Sequence, residues 1–213
     1  MALIDNIVSY YKLDTNNSTQ PDSAGSNDGT VSGGAVYTGS GKINGAYDFD
    51  GTDGKIDVDA SLGTVHSASI WFNANATDGI VLGETGSKYF LYFVGGQIYY
   101  FDGTSFDNVA YVLPIGSWHH YVVTRNDQTL KFYVDGSQQG TTDTLTSNNA
   151  MTLKTIGTGA TFYADGKIDE VGVWDGVLSD AEVTELYNSG SGLQYPFSSG
   201  PPLGTLSMMG VGR

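Results

Sequence analysis

The sequence predicts an all-β fold: a two-sheet antiparallel β-sandwich with one short C-terminal helix and an extended C-terminal arm. Three observations carry that expectation. Short runs of alternating apolar and polar residues recur from end to end, and no helical periodicity interrupts them until residue 179. The gaps between runs hold tight-turn pairs of Gly, Asp and Asn, in a chain with 30 glycines. The 14 Tyr and 9 Phe suit pleated surfaces with one wet face. At 213 residues a single large all-β core is expected.

The elements follow in order. Ile7 to Leu13 is the first strand candidate. Ala46 to Phe49 and Lys55 to Val58 flank the turn Gly51-Thr52-Asp53-Gly54, and Ala68 to Phe72 and Ile80 to Leu82 come next. Tyr89 to Val94 and Gln97 to Phe101 flank Gly95-Gly96, a two-residue hairpin connection that tolerates the positive φ of a primed turn. Val109 to Leu113 and Trp118 to Arg125 precede a second clear hairpin, in which Thr129 to Val134 passes through Asp135-Gly136 into Ser137 to Thr141. Leu153 to Ile156 and Lys167 to Trp174 complete the set. Strands joined by tight turns pair antiparallel, and this many need two packed sheets.

After Trp174 the pattern changes. Asp175-Gly176 makes a turn, Ser179 and Glu182 form a capping box, and Ala181, Val183, Leu186 and Tyr187 fall at helical spacing before a stop at Gly190. A helix of two to three turns that covers one end of the sheet core is the expectation. Ser191 to Arg213 holds three of the five prolines and cannot form a core, so it reads as an extended arm.

Charge and composition exclude several functions. With 23 acidic and 9 basic residues the net charge is −14, which repels phosphate backbones and argues against nucleic-acid binding. Cysteine is absent, which removes disulfides and thiolate metal sites. Met1 to Val8 lacks the basic and long apolar parts of a secretory signal, and no run approaches a membrane span. All the acids are Asp except Glu84, Glu170, Glu182 and Glu185. Asp at this density serves turns and also supplies the oxygen ligands that calcium prefers.

Several short motifs occur in a fixed order: Tyr10-Tyr11-Lys12-Leu13, Asp22 to Gly29, Ala46 to Gly51, Ser69 to Phe72, Trp118 to Thr124, Phe132 to Gly136 and Gly166 to Val171. Through them residues 5–190 resemble the laminin G-like, concanavalin A-like lectin/glucanase jelly-roll superfamily. The resemblance implies a jelly-roll domain over 1–190 and an arm over 191–213. It does not imply a function, because the scaffold serves lectins, hydrolases, adhesion modules and virion proteins alike.

Glucanases of that superfamily carry Glu-x-Asp-x-x-Glu on one strand, and no such pattern exists here, so no catalytic residue is expected. His119 and His120 are adjacent on a strand and point to opposite faces, which argues against a shared site. The resemblance implies a structural calcium, with Asp169 as first ligand and Asp22 and the Gly51 carbonyl behind it. Tyr89, Tyr92, Tyr99, Tyr100, Phe101 and Tyr111 offer a stacking platform for glycans, half of them turned inward by alternation, with Asn73 to Asp78 and Asp102 to Asn108 as polar rim loops.

The apolar residues of the arm, Tyr195, Phe197, Leu203, Leu206, Met208 and Met209 together with Leu193, suit docking on another subunit. The functional expectation is a non-catalytic lectin-like adhesion protein of a virion surface, such as a phage decoration or fibre component. Its partners would be capsid subunits bound through the arm and surface glycans, in a homo-oligomer. The alternative is a secreted or cell-surface carbohydrate-binding module.

Overall fold

The computed structural model describes residues 2–84, 88–159 and 162–197. The chain opens with β1 (Ile7–Tyr11), β2 (Thr19–Gln20), β3 (Gly29–Ser32), β4 (Val36–Ile43) and β5 (Gly45–Asp50). It continues through β6 (Lys55–Leu62), β7 (Val65–Ala74), β8 (Gly79–Glu84), β9 (Lys88–Val94) and β10 (Gln97–Phe101). Then come β11 (Phe106–Val109), β12 (His119–Asn126), β13 (Thr129–Val134), β14 (Ser137–Thr144), β15 (Met151–Ile156), β16 (Asp165–Trp174) and α1 (Asp180–Tyr187).

Two antiparallel sheets result. The first runs β14-β13-β12-β7-β16-β5-β4, with β1 also paired to β16. The second runs β11-β10-β9-β8-β15-β6-β3-β2. Alternation sends Ile70 and Phe72 of β7, Tyr121 and Val123 of β12, and Phe132 of β13 toward Leu82, Phe90, Phe93 and Leu153 of the other sheet. Phe72 stacks on Phe93 across the interface with centroids 5.7 Å apart, and Tyr121 meets Phe93 edge-on at 5.2 Å.

The two outer faces have different fates. A second apolar cluster of Leu3, Val122, Tyr133, Trp174, Leu178, Val183 and Leu186 lies on the outside of the first sheet, under α1. The Trp174 Nε1–H donates to the Leu3 carbonyl at 2.7 Å. The segment after the helix joins the same layer: Phe197 stacks on Trp174 at 6.1 Å and meets Tyr10 edge-on at 5.3 Å, and Tyr195 lies 5.8 Å from Tyr10. Among the described residues nothing covers the second sheet's outer face, where Lys55, Asp57, Asp59, Ser61, Tyr92, Tyr99, Phe101 and Lys154 are half-buried or exposed.

The expected capping box is present: the Ser179 hydroxyl accepts from the Glu182 amide and the Glu182 carboxylate accepts from the Ser179 amide. The helix stops at Asn188 rather than at Gly190, because Asn188 itself adopts the left-handed conformation, at φ 48°.

Other expectations are corrected. The strand expected over Val109 to Leu113 is instead β11, which ends at Val109. Beyond it the Leu113 amide bonds the Gly96 carbonyl of the β9–β10 turn, and Pro114 has no amide for a ladder. β14 is present as expected from Ser137 and runs on to Thr144, whereas the opposite edge strand, β4, carries no alternation that sequence reading could find. Tyr195 and Phe197, expected to serve a partner subunit, rest on the chain's own sandwich. Leu203, Leu206, Met208 and Met209 lie outside the described residues.

Candidate functional site

The open face of the second sheet concentrates aromatic side chains where its first three strands meet. Inward-turned Ile98 and Tyr100 alternate with outward-turned Tyr99 and Phe101 on β10. Register places Tyr99 opposite Tyr92 of β9, and Phe101 opposite both Tyr89 of β9 and Phe106 of β11. Five rings therefore gather on the solvent side. Tyr92 stacks on Tyr99 at 5.0 Å, Tyr99 meets Phe106 at 5.0 Å, and Tyr89 lies 5.2 Å from Tyr92. Phe106 remains 55% exposed on top of this cluster. Burial, and then the neighbouring Tyr99 and Tyr89 phenols, push the Tyr92 phenol up to about 12, so its hydroxyl stays protonated and able to donate.

A groove of about 330 Å³ runs beside these rings, lined by Asp78, Gly79, Ile80, Tyr89, Tyr92, Phe93, Val94 and Phe162. Tyr99 stacks on Tyr92 from the β10 side, and Tyr92 also borders the groove. Phe162, 63% exposed, stands on the far wall. Behind the lining Gly159 abuts Tyr89 and Ile80, where a Cβ would come within 2.7 Å of both side chains. Across the same sheet face the chemistry turns polar, with Lys154 paired to Asp59 at 2.6 Å and Lys55 to Asp57 at 2.8 Å. Of the aromatic residues singled out from sequence, Tyr100 and Tyr111 are elsewhere: Tyr100 is fully buried and Tyr111 packs toward Tyr121 in the core. Phe106 and Phe162 were not foreseen, since Phe106 opens a four-residue strand without apolar alternation and Phe162 lies outside any strand.

A different constellation lies on the outside of the first sheet. A bulge in β16 between Asp169 and Gly172, with Glu170 at φ 49°, keeps Glu170 out of the core. Asp14, Asp169 and Glu170 each bring a carboxylate oxygen to within 4.8 Å of the others. Asp169 accepts from the Ile43 and Glu170 amides, at 2.9 Å each. Glu170 accepts from the Tyr10 hydroxyl and from the Gln194 amide, which also donates to Asp14 at 2.9 Å. Burial and the neighbouring acid push Asp169 up to about 9, and burial raises Glu170 to about 8.

Three oxygen donors of this kind fit a hard cation in type. The other two expected ligands are not brought to them. Asp22 instead holds its loop together, accepting from the amides of Tyr10, Ala24, Gly25 and Asn27. Gly51 sits beside Asp165, four residues along β16 from Asp169 and so about 13 Å away.

His119 and His120 do face opposite ways. His120 is buried, accepts or donates at Ser69 Oγ over 2.8 Å, and is held neutral by burial, which lowers it to about 3. His119 lies between Asp135 at 2.7 Å and Ser117 at 3.0 Å, where the Asp135 carboxylate also accepts from the His120 amide and so ties the β13–β14 turn to the start of β12.

The family profile described as the concanavalin A-like lectin/glucanases superfamily matches residues 50–184. The chain belongs to that superfamily. No curated protein matches it by sequence. Among solved structures it is similar to domain 4 of an extracellular GH43 arabinanase from Geobacillus stearothermophilus, determined in complex with arabinotriose. The TM-score is 0.70 at 19% identity, over 84% of this chain and 97% of that one. It is also similar to the binding domain of Paraclostridial Mosquitocidal Protein 1, at TM-score 0.69, 13% identity and 88% of this chain. A third similar structure is of botulinum neurotoxin type C, whose cell entry is described as dependent on two ganglioside molecules; the TM-score is 0.68 at 15% identity, over 88% of this chain. The chain spans about half of each of these two toxin structures, 53% and 52%. At these identities the likeness establishes the jelly-roll fold.

The acid cluster has a signature in solution. Asp169 and Glu170 titrate near 4 in an unfolded chain but at about 9 and 8 in the folded one, so between those limits the native state binds more protons. Stability in buffer free of divalent cations is therefore expected to fall as pH rises from about 5 to about 9, and Glu170→Gln should flatten that fall. Denaturant midpoints across this range check it; a wild-type midpoint that holds or rises would contradict it.

Proposed function

We propose that this protein is a non-catalytic carbohydrate-binding module that takes a neutral glycan on the open face of its second sheet, in the groove between Phe162 and the rings of Tyr89 and Tyr92. The groove is the observation that carries the reading. The C–H faces of a sugar ring are apolar and pack on aromatic rings, while its hydroxyls need nearby polar acceptors such as Asp78. The net charge of −14 favours neutral over anionic sugars. Arabinotriose bound to the arabinanase domain is consistent with this assignment without deciding it. Support for the absence of catalysis comes from the missing glucanase acid pattern and from the position of Asp169 and Glu170, buried on the opposite side of the sandwich.

Affinity electrophoresis against arabinan, β-glucan, galactan and polygalacturonate tests the proposal. Retention on at least one neutral polymer is expected, without release of reducing sugar, and Tyr92→Ala and Phe162→Ala should each weaken it about tenfold with unchanged melting. No retention on any polymer, or retention unaffected by both substitutions, would refute it.

Calcium at Asp169, with Asp14 and Glu170, is a second part of the proposal. It rests on three converging acid oxygens whose mutual repulsion a cation relieves. Addition of calcium at pH 8 should raise the melting midpoint and a chelator should reverse the rise; identical midpoints would remove the ion from the account.

We further propose mounting on a virion surface through the residues beyond Phe197, carried by the apolar side chains Leu203, Leu206, Met208 and Met209. Removal of 198–213 should abolish assembly and leave melting intact, and unchanged assembly would sink this placement.

A further inference from the structure

We infer that Arg125 is the positioning residue of the aromatic face, acting through a buried pairing with Asp102 that fixes the connection between Phe101 and Phe106. The inference rests on the glycan-binding reading of that face and adds the device that shapes it.

The chain has only nine basic residues, and one of its two arginines is sealed inside. Arg125 and Asp102 have side chains 0% exposed and meet at 3.2 Å. Every arm of the guanidinium is occupied. Its Nε–H donates to the Asp127 carbonyl at 2.6 Å, Nη1 to the Tyr100 hydroxyl and the Asn149 carbonyl at 2.8 Å each, and Nη2 to Asn148 Oδ1 at 3.2 Å. Asp102 in turn gathers the loops. It accepts from the amides of Thr104 at 3.1 Å and Ser105 at 2.8 Å, and from the Ser147 hydroxyl at 2.8 Å. Burial alone would raise Asp102, but the Ser105 amide, the Ser147 hydroxyl and their neighbours hold it below the ordinary carboxylate range.

Residues 102–105 are the whole link from Phe101, at the end of β10, to Phe106, at the start of β11. Phe101 and Phe106 are direct partners in the ladder. A charge fixed under this link therefore fixes the ring that crowns the cluster. Tyr100, which alternates with Tyr99 and Phe101, is held from below by the same guanidinium. His66, stacked 6.2 Å from Tyr100, is lowered to about 4 by burial and then by Arg125, so it brings no competing charge. A residue placed only for stability need not contact the one link that joins two rings of the open-face cluster; Arg125 reaches it through Asp102, Tyr100 and the 147–149 carbonyls together.

The test compares wild type with Asp102→Asn and with the milder Ser147→Ala, which keeps the charge pair and removes one tie between loops. Two readouts are taken at a temperature where circular dichroism shows each variant folded: hydrogen exchange by segment, and affinity for whichever neutral polysaccharide wild type retains. Exchange in 97–109 should accelerate about tenfold while 119–124 and 167–173 keep wild-type rates, and the affinity of the folded protein should fall by about the same factor. Uniform acceleration across both sheets with unchanged affinity would overturn the inference, since that is what a purely stabilising pair gives. If Asp102→Asn does not fold, Ser147→Ala decides on the same readouts. Should wild type retain no polymer, the glycan reading fails, and exchange confined to 97–109 still separates a positioning role from a general one.

Discussion

A two-sheet sandwich has two outer faces, and a single eight-residue helix can cover only one. That constraint organises the molecule. Trp174 stands at its centre: it ends β16, holds the N-terminal segment through the Leu3 carbonyl, and lies beneath both α1 and Phe197. Helix, N-terminal segment and the post-helical segment to Phe197 all fall on the first sheet, and no described residue covers the second sheet's face. Cross-strand pairing accounts for part of the aromatic cluster there, but Phe106 and Phe162 stand exposed where polar residues would serve an open face. Their presence on the uncovered side, beside a groove, is what turns a fold into a functional reading.

Two buried charge problems are solved in opposite ways. At the end of the second sheet, Arg125 and Asp102 neutralise each other and are saturated with hydrogen bonds, the condition under which a buried ion pair is tolerated. On the outside of the first sheet, Asp14, Asp169 and Glu170 have amide and phenol donors but no arginine or lysine bridging them among the described residues. Their charge is met by protons as pH falls, and the proposed calcium would act on the same residues. The first solution shapes the aromatic face, and the second ties Gln194 and the post-helical segment to the sandwich.

Much of the fold was legible in sequence because period-two alternation and Gly/Asp turns are local signals. The Gly95-Gly96 and Asp135-Gly136 hairpins and the Ser179 capping box all appear as read, as does the opposed orientation of His119 and His120. Elements without alternation were illegible: β4 is an edge whose residues face solvent on one side, and Val109 to Leu113 looked like a strand because nothing local reveals that Leu113 bonds Gly96. The site was half legible. Tyr89, Tyr92, Tyr99 and Phe101 stood out by density, but their convergence with Phe106 depends on ladder register and Phe162 on a loop folding back. Asp169 was singled out through family resemblance, whereas its companions Asp14 and Glu170 assemble across 156 residues of chain, from the end of β1 to a bulge in β16.

The most direct test of this account is a map of amide chemical-shift changes as a neutral oligosaccharide is titrated into the full chain. Changes confined to residues 78–80, 89–94, 97–109 and 162 are the predicted result. Changes centred instead on α1, Tyr10 and Trp174, the covered side of the sandwich, would contradict it.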